Sequence, residues 1–157
     1  MFSASCHYGL QAMFYIACHS SKEKNVDLNE IAVEQNIPKH FLSKILQLLV
    51  KKKLLESMKG PNGGFKLSRP PDSIHIVEVV DAIDGLDIFN QCGIEYKECD
   101  EKDPCPIHEE YHRIRKEVLL LFQAKTLETM AEDLKNGNTI ADIVKTPEEV
   151  KKKKNTR

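Results

Sequence analysis

Asn36-Ile37-Pro38-Lys39-His40-Phe41-Leu42-Ser43-Lys44-Ile45-Leu46-Gln47-Leu48-Leu49, followed ten residues on by Lys59-Gly60-Pro61-Asn62-Gly63-Gly64-Phe65, decides the fold. Pro38 cannot continue a preceding helix but suits the first turn of a new one. The new helix is expected over residues 39–52, burying Phe41, Leu42, Ile45, Leu46 and Leu49 at helical spacing. Upstream, Asp27 stands where an N-cap belongs and Glu30 three residues later, as in a capping box. Val26 and Ile31 occupy the positions of a hydrophobic staple. A short helix to about Gln35 follows, burying Leu28, Ile31 and Ala32. Two helices joined by a tight turn read as a helix-turn-helix.

Downstream the period changes from helical to alternating. Leu55, Ser57 and Lys59 alternate with Glu56 and Met58, and beyond the glycine-rich turn Phe65, Leu67 and Arg69 alternate with Lys66 and Ser68. That pattern predicts a β-hairpin. A helix-turn-helix followed at once by a hairpin makes a winged helix, so the fold class is mainly α with a small β-hairpin wing.

Outward from this centre, residues 7–19 place Ala12, Met13, Ile16 and Ala17 on one face of a first helix. Ile76, Val79, Val80 and Ile83 mark a short helix that Gly85 ends. Residues 86–106 carry no period. From about Ile107 a long helix spaces Ile107, Tyr111, Ile114, Val118 and Leu121 alternately by four and three. Widened by Leu120 and Phe122, that seam is too apolar for a lone helix and calls for a partner helix. A last short helix is expected over residues 126–134, and the lysine-rich end beyond 136 is expected to fray. The expected organisation is a winged-helix DNA-binding domain at 1–85, a cysteine loop at 86–106, dimerisation helices at 107–135 and a flexible tail at 136–157.

The net charge of −1 conceals segregation. Residues 1–70 hold ten Lys/Arg against five Asp/Glu, residues 71–135 seven against sixteen, and residues 136–157 six against three. A basic half joined to an acidic one suits a polyanion-binding module attached to a non-binding one. No stretch approaches the about 18 apolar residues of a membrane span. The apolar run at 13–17 has neither a basic segment before it nor a small-residue cleavage site after it. No leader is therefore expected, and the cytoplasm is the expected compartment.

A recognition helix presents its N-terminal residues to base edges in the major groove. Here these are Lys39, His40, Ser43 and Lys44, with Gln47 a turn further on. The lysines can neutralise phosphates or reach guanine, while His40 and Ser43 can donate to or accept from bases. On the hairpin Lys59, Asn62 and Gly63, with Lys66, are placed to touch backbone or probe the minor groove. Lys51, Lys52 and Lys53 read as a solvated face.

Five cysteines in a chain with no export signal argue against a disulfide framework. Cys92, Cys99 and Cys105 fall within fourteen residues of irregular loop, close enough to clasp one soft metal centre, and His108 follows as a candidate fourth ligand. Iron–sulfur clusters take thiolates chiefly but accept histidine. Zinc takes the same donors, although its structural sites favour cysteine pairs two to four residues apart, and none is present. A thiol–disulfide sensor and incidental cysteines are the other readings. An enzyme using Cys105 and His108 as nucleophile and base lacks any accompanying oxyanion-hole signature, so no enzymatic activity is expected. Cys18 reads as a small buried hydrophobe. Cys6 and His7 stand at the start of the first helix, His112 reads as a surface or dimer-contact residue, and His19 and His75 read as loop or edge residues.

Four segments together resemble the bacterial regulator family that includes the IscR and NsrR repressors, the Rrf-two family. They are Tyr8-Gly9-Leu10-Gln11-Ala12-Met13, residues 37–49, Lys59-Gly60-Pro61-Asn62-Gly63-Gly64-Phe65 with Arg69-Pro70-Pro71, and Cys92, Cys99, Cys105 with His108. The resemblance implies a DNA-binding transcriptional regulator acting as a homodimer on a double-stranded, pseudo-palindromic operator. It implies an iron–sulfur cluster, 2Fe–2S or 4Fe–4S, that senses nitric oxide, redox or iron status. It also implies a fourth ligand that is either His108 or, from the other subunit, His7. Ser43 stands where IscR-like members carry a glutamate, and Lys59 replaces an arginine. Lysine cannot make arginine's bidentate contact, so the operator need not be that of IscR.

Overall fold

Among the described residues, apolar side chains at helical spacing drive six α-helices and one hairpin around a shared core. The computed structural model describes residues 1–94 and 102–136. Its helices are α1 (Ala4–His19), α2 (Leu28–Glu34), α3 (Lys39–Lys51), α4 (Ile76–Ile83), α5 (His108–Ala124) and α6 (Leu127–Lys135). Strands β1 (Leu55–Met58) and β2 (Gly64–Leu67) lie between α3 and α4. The mainly α winged helix-turn-helix expected from the sequence is the fold observed.

Helix α1 runs through the middle of the domain and packs on α3, α4 and α6. Ala12, Met13 and Ile16 are fully buried. It begins earlier than its apolar period suggests, because Ser3 caps it by accepting from the Cys6 amide at 3.0 Å. The same serine donates through Oγ to Asp84 Oδ1 at 2.5 Å and through its amide to Oδ2 at 2.8 Å. The start of α1 is thereby tied to the end of α4, where Gly85 (φ 77) leaves the helix as expected.

Asp27 caps α2 by accepting from the Asn29 amide at 2.8 Å. The capping box does not close, since Glu30 Oε1 instead accepts from the Tyr15 hydroxyl at 2.9 Å. A buried phenol needs a partner more than a solvated cap does. Pro38 is the N-cap of α3, and its carbonyl accepts from Phe41 and Leu42. Leu42, Ile45, Leu46 and Leu49 are buried, each worth about 1.5–3 kcal/mol in area terms. Phe41 corrects the expectation of burial: it is 49% exposed, at the flank of an apolar stripe that is complete without it.

The hairpin pairs Leu55 with Leu67 and Met58 with Gly64. The alternation expected of it is not seen in its burial, for only Leu55 of β1 reaches the core while Glu56, Ser57 and Met58 are exposed. On β2 the core-facing Phe65 and Leu67 are half-buried, but so are Gly64 and Lys66, which alternate with them. The base of the hairpin is held by a pairing the sequence did not announce, in which Val26 and Phe65 exchange both backbone hydrogen bonds at 2.8 Å.

Ile74 and Ile76 exchange backbone bonds with Leu127 and Lys125, both 2.9 Å, and His75 pairs with Thr126 between them. His75 Nδ1 lies 2.7 Å from the Gln123 carbonyl, so this residue is a brace between α4 and the α5–α6 junction rather than an edge residue. His19 is equally engaged, stacked on Tyr15 with centroids 4.0 Å apart.

The single seam expected on α5 divides in two. Tyr111 and Val118 turn inward with Arg115 and Phe122, where Val118, Leu119 and Phe122 pack against Cys6, Val80, Phe89 and Phe2. Ile107, Ile114, Leu120 and Leu121 remain exposed. The expected tail beyond residue 136 lies outside the described residues.

Gly64 sits at φ +135, and a Cβ there would fall 2.4 Å from the Val26 carbonyl oxygen. Both terms penalise any side chain. Gly64→Ala is expected to lower stability by about 2–4 kcal/mol in urea denaturation, with loss of amide-exchange protection at Val26 and Phe65. An unchanged midpoint with protected amides contradicts this account of the wing's base.

Candidate DNA interface and cysteine loop

Burying Leu42, Ile45, Leu46 and Leu49 leaves the opposite side of α3 in solvent. Lys39, His40, Lys44 and Gln47 are exposed there and Ser43 is half-buried. Phe41 joins them, with its ring 4.2 Å from that of His40. Sequence reading placed Phe41 in the core; the available signal was that it lies at the edge of the stripe. An exposed aromatic beside lysines can contact a thymine methyl group.

The wing tip is a turn closed by the Gly63 amide donating to the Gly60 carbonyl at 2.9 Å. A Cβ on Gly63 would fall 2.4 Å from the Met58 carbonyl oxygen, which keeps the turn narrow. Asn25 Nδ2 donates to the Asn62 carbonyl at 3.0 Å, fixing the tip to the connection between α1 and α2. Lys59 is fully available at this tip. Lys66 faces Glu56 across the strands at 3.5 Å, so much of its charge is answered within the hairpin. Arg69 is likewise internal. It donates to Glu78 and to the Ser73 carbonyl, bracing the wing against α4. Burial alone would raise the Glu78 pKa, but the Arg69 and His75 hydrogen bonds outweigh it and hold the carboxyl below its ordinary range. Lys51, Lys52 and Lys53 are exposed, consistent with a solvated face.

Of the three loop cysteines, Cys92 and Cys105 are described and half-buried, and Cys99 lies outside the described residues. No disulfide occurs among the described residues. Nor do three His, Cys, Asp or Glu side chains gather there as a metal site. Cys105 and His108 share a turn, with the His108 amide donating to the Cys105 carbonyl at 2.9 Å. The Nδ1 of His108 is buried with no hydrogen-bond partner among the described residues. His112 follows one turn on, its ring nearly parallel to that of His108 at 6.0 Å. His7 is elsewhere. It is exposed at the start of α1, edge-on to Phe2, and lines a cavity of about 310 Å³ with Leu10, Phe14, Leu121, Phe122 and Met130. No cysteine among the described residues lines that cavity.

The burial expected of Cys18 is found instead at Cys6, to which the sequence assigned no role. Cys18 is only half-buried at the core margin, and Cys6 is fully buried against Val80 and Phe89. Burial pushes the Cys6 thiol up to about 12, and the neighbouring Asp84 carboxylate adds to the effect. Tyr15 is also held well above its ordinary range, by burial first and then by Glu30.

Helix α3 with lysines along its exposed side, and the lysine-tipped hairpin that follows it, give the architecture of a winged-helix DNA-binding regulator. The chain belongs to the Rrf2 family, described as iron-dependent transcriptional regulator, which matches residues 2–133. Members named in that family are transcriptional regulators, not enzymes. An HTH-type transcriptional regulator of Aquifex aeolicus is 29% identical over 132 residues, covering 83% of this chain and 90% of its own. The IscR regulator of Sodalis glossinidius is 35% identical over 102 residues, covering 64% of this chain and 60% of its own. Among solved structures, CymR, the global cysteine regulator of B. subtilis, superposes with a TM-score of 0.69 at 27% identity. The match covers 84% of this chain and 96% of that one. IscR of T. potens superposes with a TM-score of 0.68 at 25% identity, covering 89% and 92%. No helix among the described residues is long and apolar enough to cross a membrane.

The folded state holds the Cys6 and Tyr15 protons more tightly than the unfolded chain does. Their contribution to stability is therefore complete at neutral pH and is lost as the pH rises from the ordinary thiol value towards the folded one. Thermal melts are expected to fall progressively above about pH 9, and less steeply in Cys6→Ala. A flat alkaline limb in the wild type contradicts the assignment.

Proposed function

We propose that this protein is a homodimeric cytoplasmic repressor whose grip on an operator is set by an iron–sulfur cluster in the 86–106 loop. The winged helix of residues 1–85 binds the duplex, and the helices of residues 107–135 join the subunits. Lys39 and Lys44 meet phosphates or guanine, His40, Ser43 and Phe41 face base edges, and Lys59, Asn62 and Gly63 approach the backbone or minor groove. The exposed Ile107, Ile114, Leu120 and Leu121 supply the apolar face that a second copy covers.

The donor set fits the cluster. Cys92, Cys99 and Cys105 supply the thiolates, and the observation that carries the fourth ligand is the buried, unpartnered Nδ1 of His108 beside Cys105. A buried ring nitrogen with no partner is costly unless something occupies it. His7, exposed on a cavity that no cysteine among the described residues lines, is the weaker candidate and would have to reach in from the partner subunit. When bound, the cluster supplies a centre that nitric oxide, oxygen or iron shortage alters. The chain does the rest: ordering of the loop between α4 and α5 sets the spacing of the two recognition helices, and its release relaxes that spacing.

Anaerobically purified protein is expected to be coloured, with iron and sulfide, and to lose both in Cys92→Ala, Cys99→Ala and Cys105→Ala. His108→Ala should alter the visible spectrum while His7→Ala leaves it unchanged. The cluster reading fails if the wild type is colourless, or if every cysteine variant binds operator like the wild type. A colourless protein whose DNA affinity changes on oxidation instead supports control by thiol oxidation.

On duplexes selected from a random pool, Lys39→Ala, Lys44→Ala and Lys59→Ala should each weaken binding across sequences and reduce the salt slope by about 1. Ser43→Ala and Phe41→Ala should instead change preference at particular bases by about 1–3 kcal/mol. Equal losses on all sequences for Phe41→Ala would remove it from base reading.

A further inference from the structure

Arg115 is a cation in the interior. It is 1% exposed, and among the described residues it is the only polar or charged side chain in the buried class. Burying a guanidinium is costly unless its donors and its charge are met. Two of its contacts are on view. Nη1 donates to the backbone carbonyl of Gln91, and the guanidinium carbon lies 4.7 Å from the centroid of the Tyr111 ring, one turn earlier on α5. The Tyr111 ring in turn walls off Gly93, where a Cβ would fall 2.8 Å from Cε1 and 2.9 Å from Cδ1.

Gln91 and Gly93 are the two neighbours of Cys92. Two side chains one turn apart on α5 therefore hold the backbone on both sides of the first loop cysteine. Packing alone does not call for a cation here, since Val118, Leu119 and Phe122 supply the apolar contacts of α5 with the domain. Arginine is suited to the task because its planar fork can lie on an aromatic face while donating sideways to a carbonyl, and lysine's point charge cannot do both.

We propose that Arg115 is a positioning residue that seats the entrance of the cysteine loop on α5, holding the backbone at Cys92 in place before any ligand binds. The proposal deepens the sensor reading and rests on it for its significance. Pre-seating one thiolate removes part of the ordering cost from whatever the loop later binds. It also gives the loop a direct hold on α5, whose opposite side carries Ile114 and Leu121. A change in the loop that pulls on residues 91–93 is transmitted to that helix without an intermediary.

The test uses the full-length, metal-free protein under anaerobic conditions. Each cysteine's alkylation by N-ethylmaleimide is followed by mass spectrometry, with buried Cys6 as the internal measure of intact fold. In Arg115→Gln the Cys92 rate is expected to rise roughly tenfold, as for loss of one charge-assisted hydrogen bond to a locally opening segment, while Cys6 stays protected. Arg115→Lys should fall between the two. Gly93→Ala should raise the Cys92 rate in the wild-type background but not beside Tyr111→Val, which removes the clashing ring. An unchanged Cys92 rate in both Arg115→Gln and Gly93→Ala overturns the proposal. So does a joint rise at Cys6 and Cys92 in the two Arg115 variants, which makes Arg115 a general core residue. The visible spectrum of iron-reconstituted wild type is read separately; its absence defeats the cluster, whereas the metal-free labelling alone decides the role of Arg115.

Discussion

A helix that offers one side to DNA must be held rigidly by the other, and the burial of Leu42, Ile45, Leu46 and Leu49 is the constraint on which this molecule turns. Those side chains dock α3 on α1 and α4, so that Lys39, His40, Lys44 and Gln47 project from a fixed platform. The wing depends on the same core. Leu54 and Leu55 anchor the start of the hairpin beside the end of α3, and the Val26–Phe65 pairing anchors its return. The spacing between recognition helix and wing tip is thus a property of packing, which tolerates little adjustment.

Helix α5 works on two sides at once. Its inner side, Tyr111, Arg115, Val118 and Phe122, belongs to the protomer's own interior, and Ile114, Leu120 and Leu121 are exposed beside the Arg113–Glu117 pair on the rest of its surface. The charge segregation of the chain matches this division. Residues 1–70 are net basic and residues 71–135 net acidic, a segregation that suits a polyanion-binding module joined to a non-binding one. Placing a chemically reactive loop between the two halves puts it where a small rearrangement can alter their relation, which is the physical core of the proposed regulation.

The cysteines divide by environment rather than by position. Cys6 is sealed beneath α4 and α5 with a thiol that resists ionisation, a packing residue in all but name. Cys92 and Cys105 are half-buried at the two ends of the loop. A residue count could not have separated these classes, because burial depends on which helices converge on a given position.

The helices and the hairpin were legible in the sequence because they follow from local periodicity, proline and glycine chemistry. The wing motif Lys59-Gly60-Pro61-Asn62-Gly63-Gly64-Phe65 and the cysteine spacing carried the family likeness for the same reason: they are local. What only the tertiary structure decided were matters of long-range pairing. Glu30 answers Tyr15 rather than its own cap, Arg69 answers Glu78, His75 braces the α5–α6 junction, and Phe41 is left outside. The apparent single seam of α5 splits because steps of four and three residues turn about +40° and −60° around the helix, so Tyr111 and Val118 fall on one edge, Ile114 and Leu121 on the other, and only the first edge meets the core. Where Arg115 goes could not be read from its neighbours in sequence, since its partner Gln91 lies 24 residues away and is brought to it only by the tertiary fold.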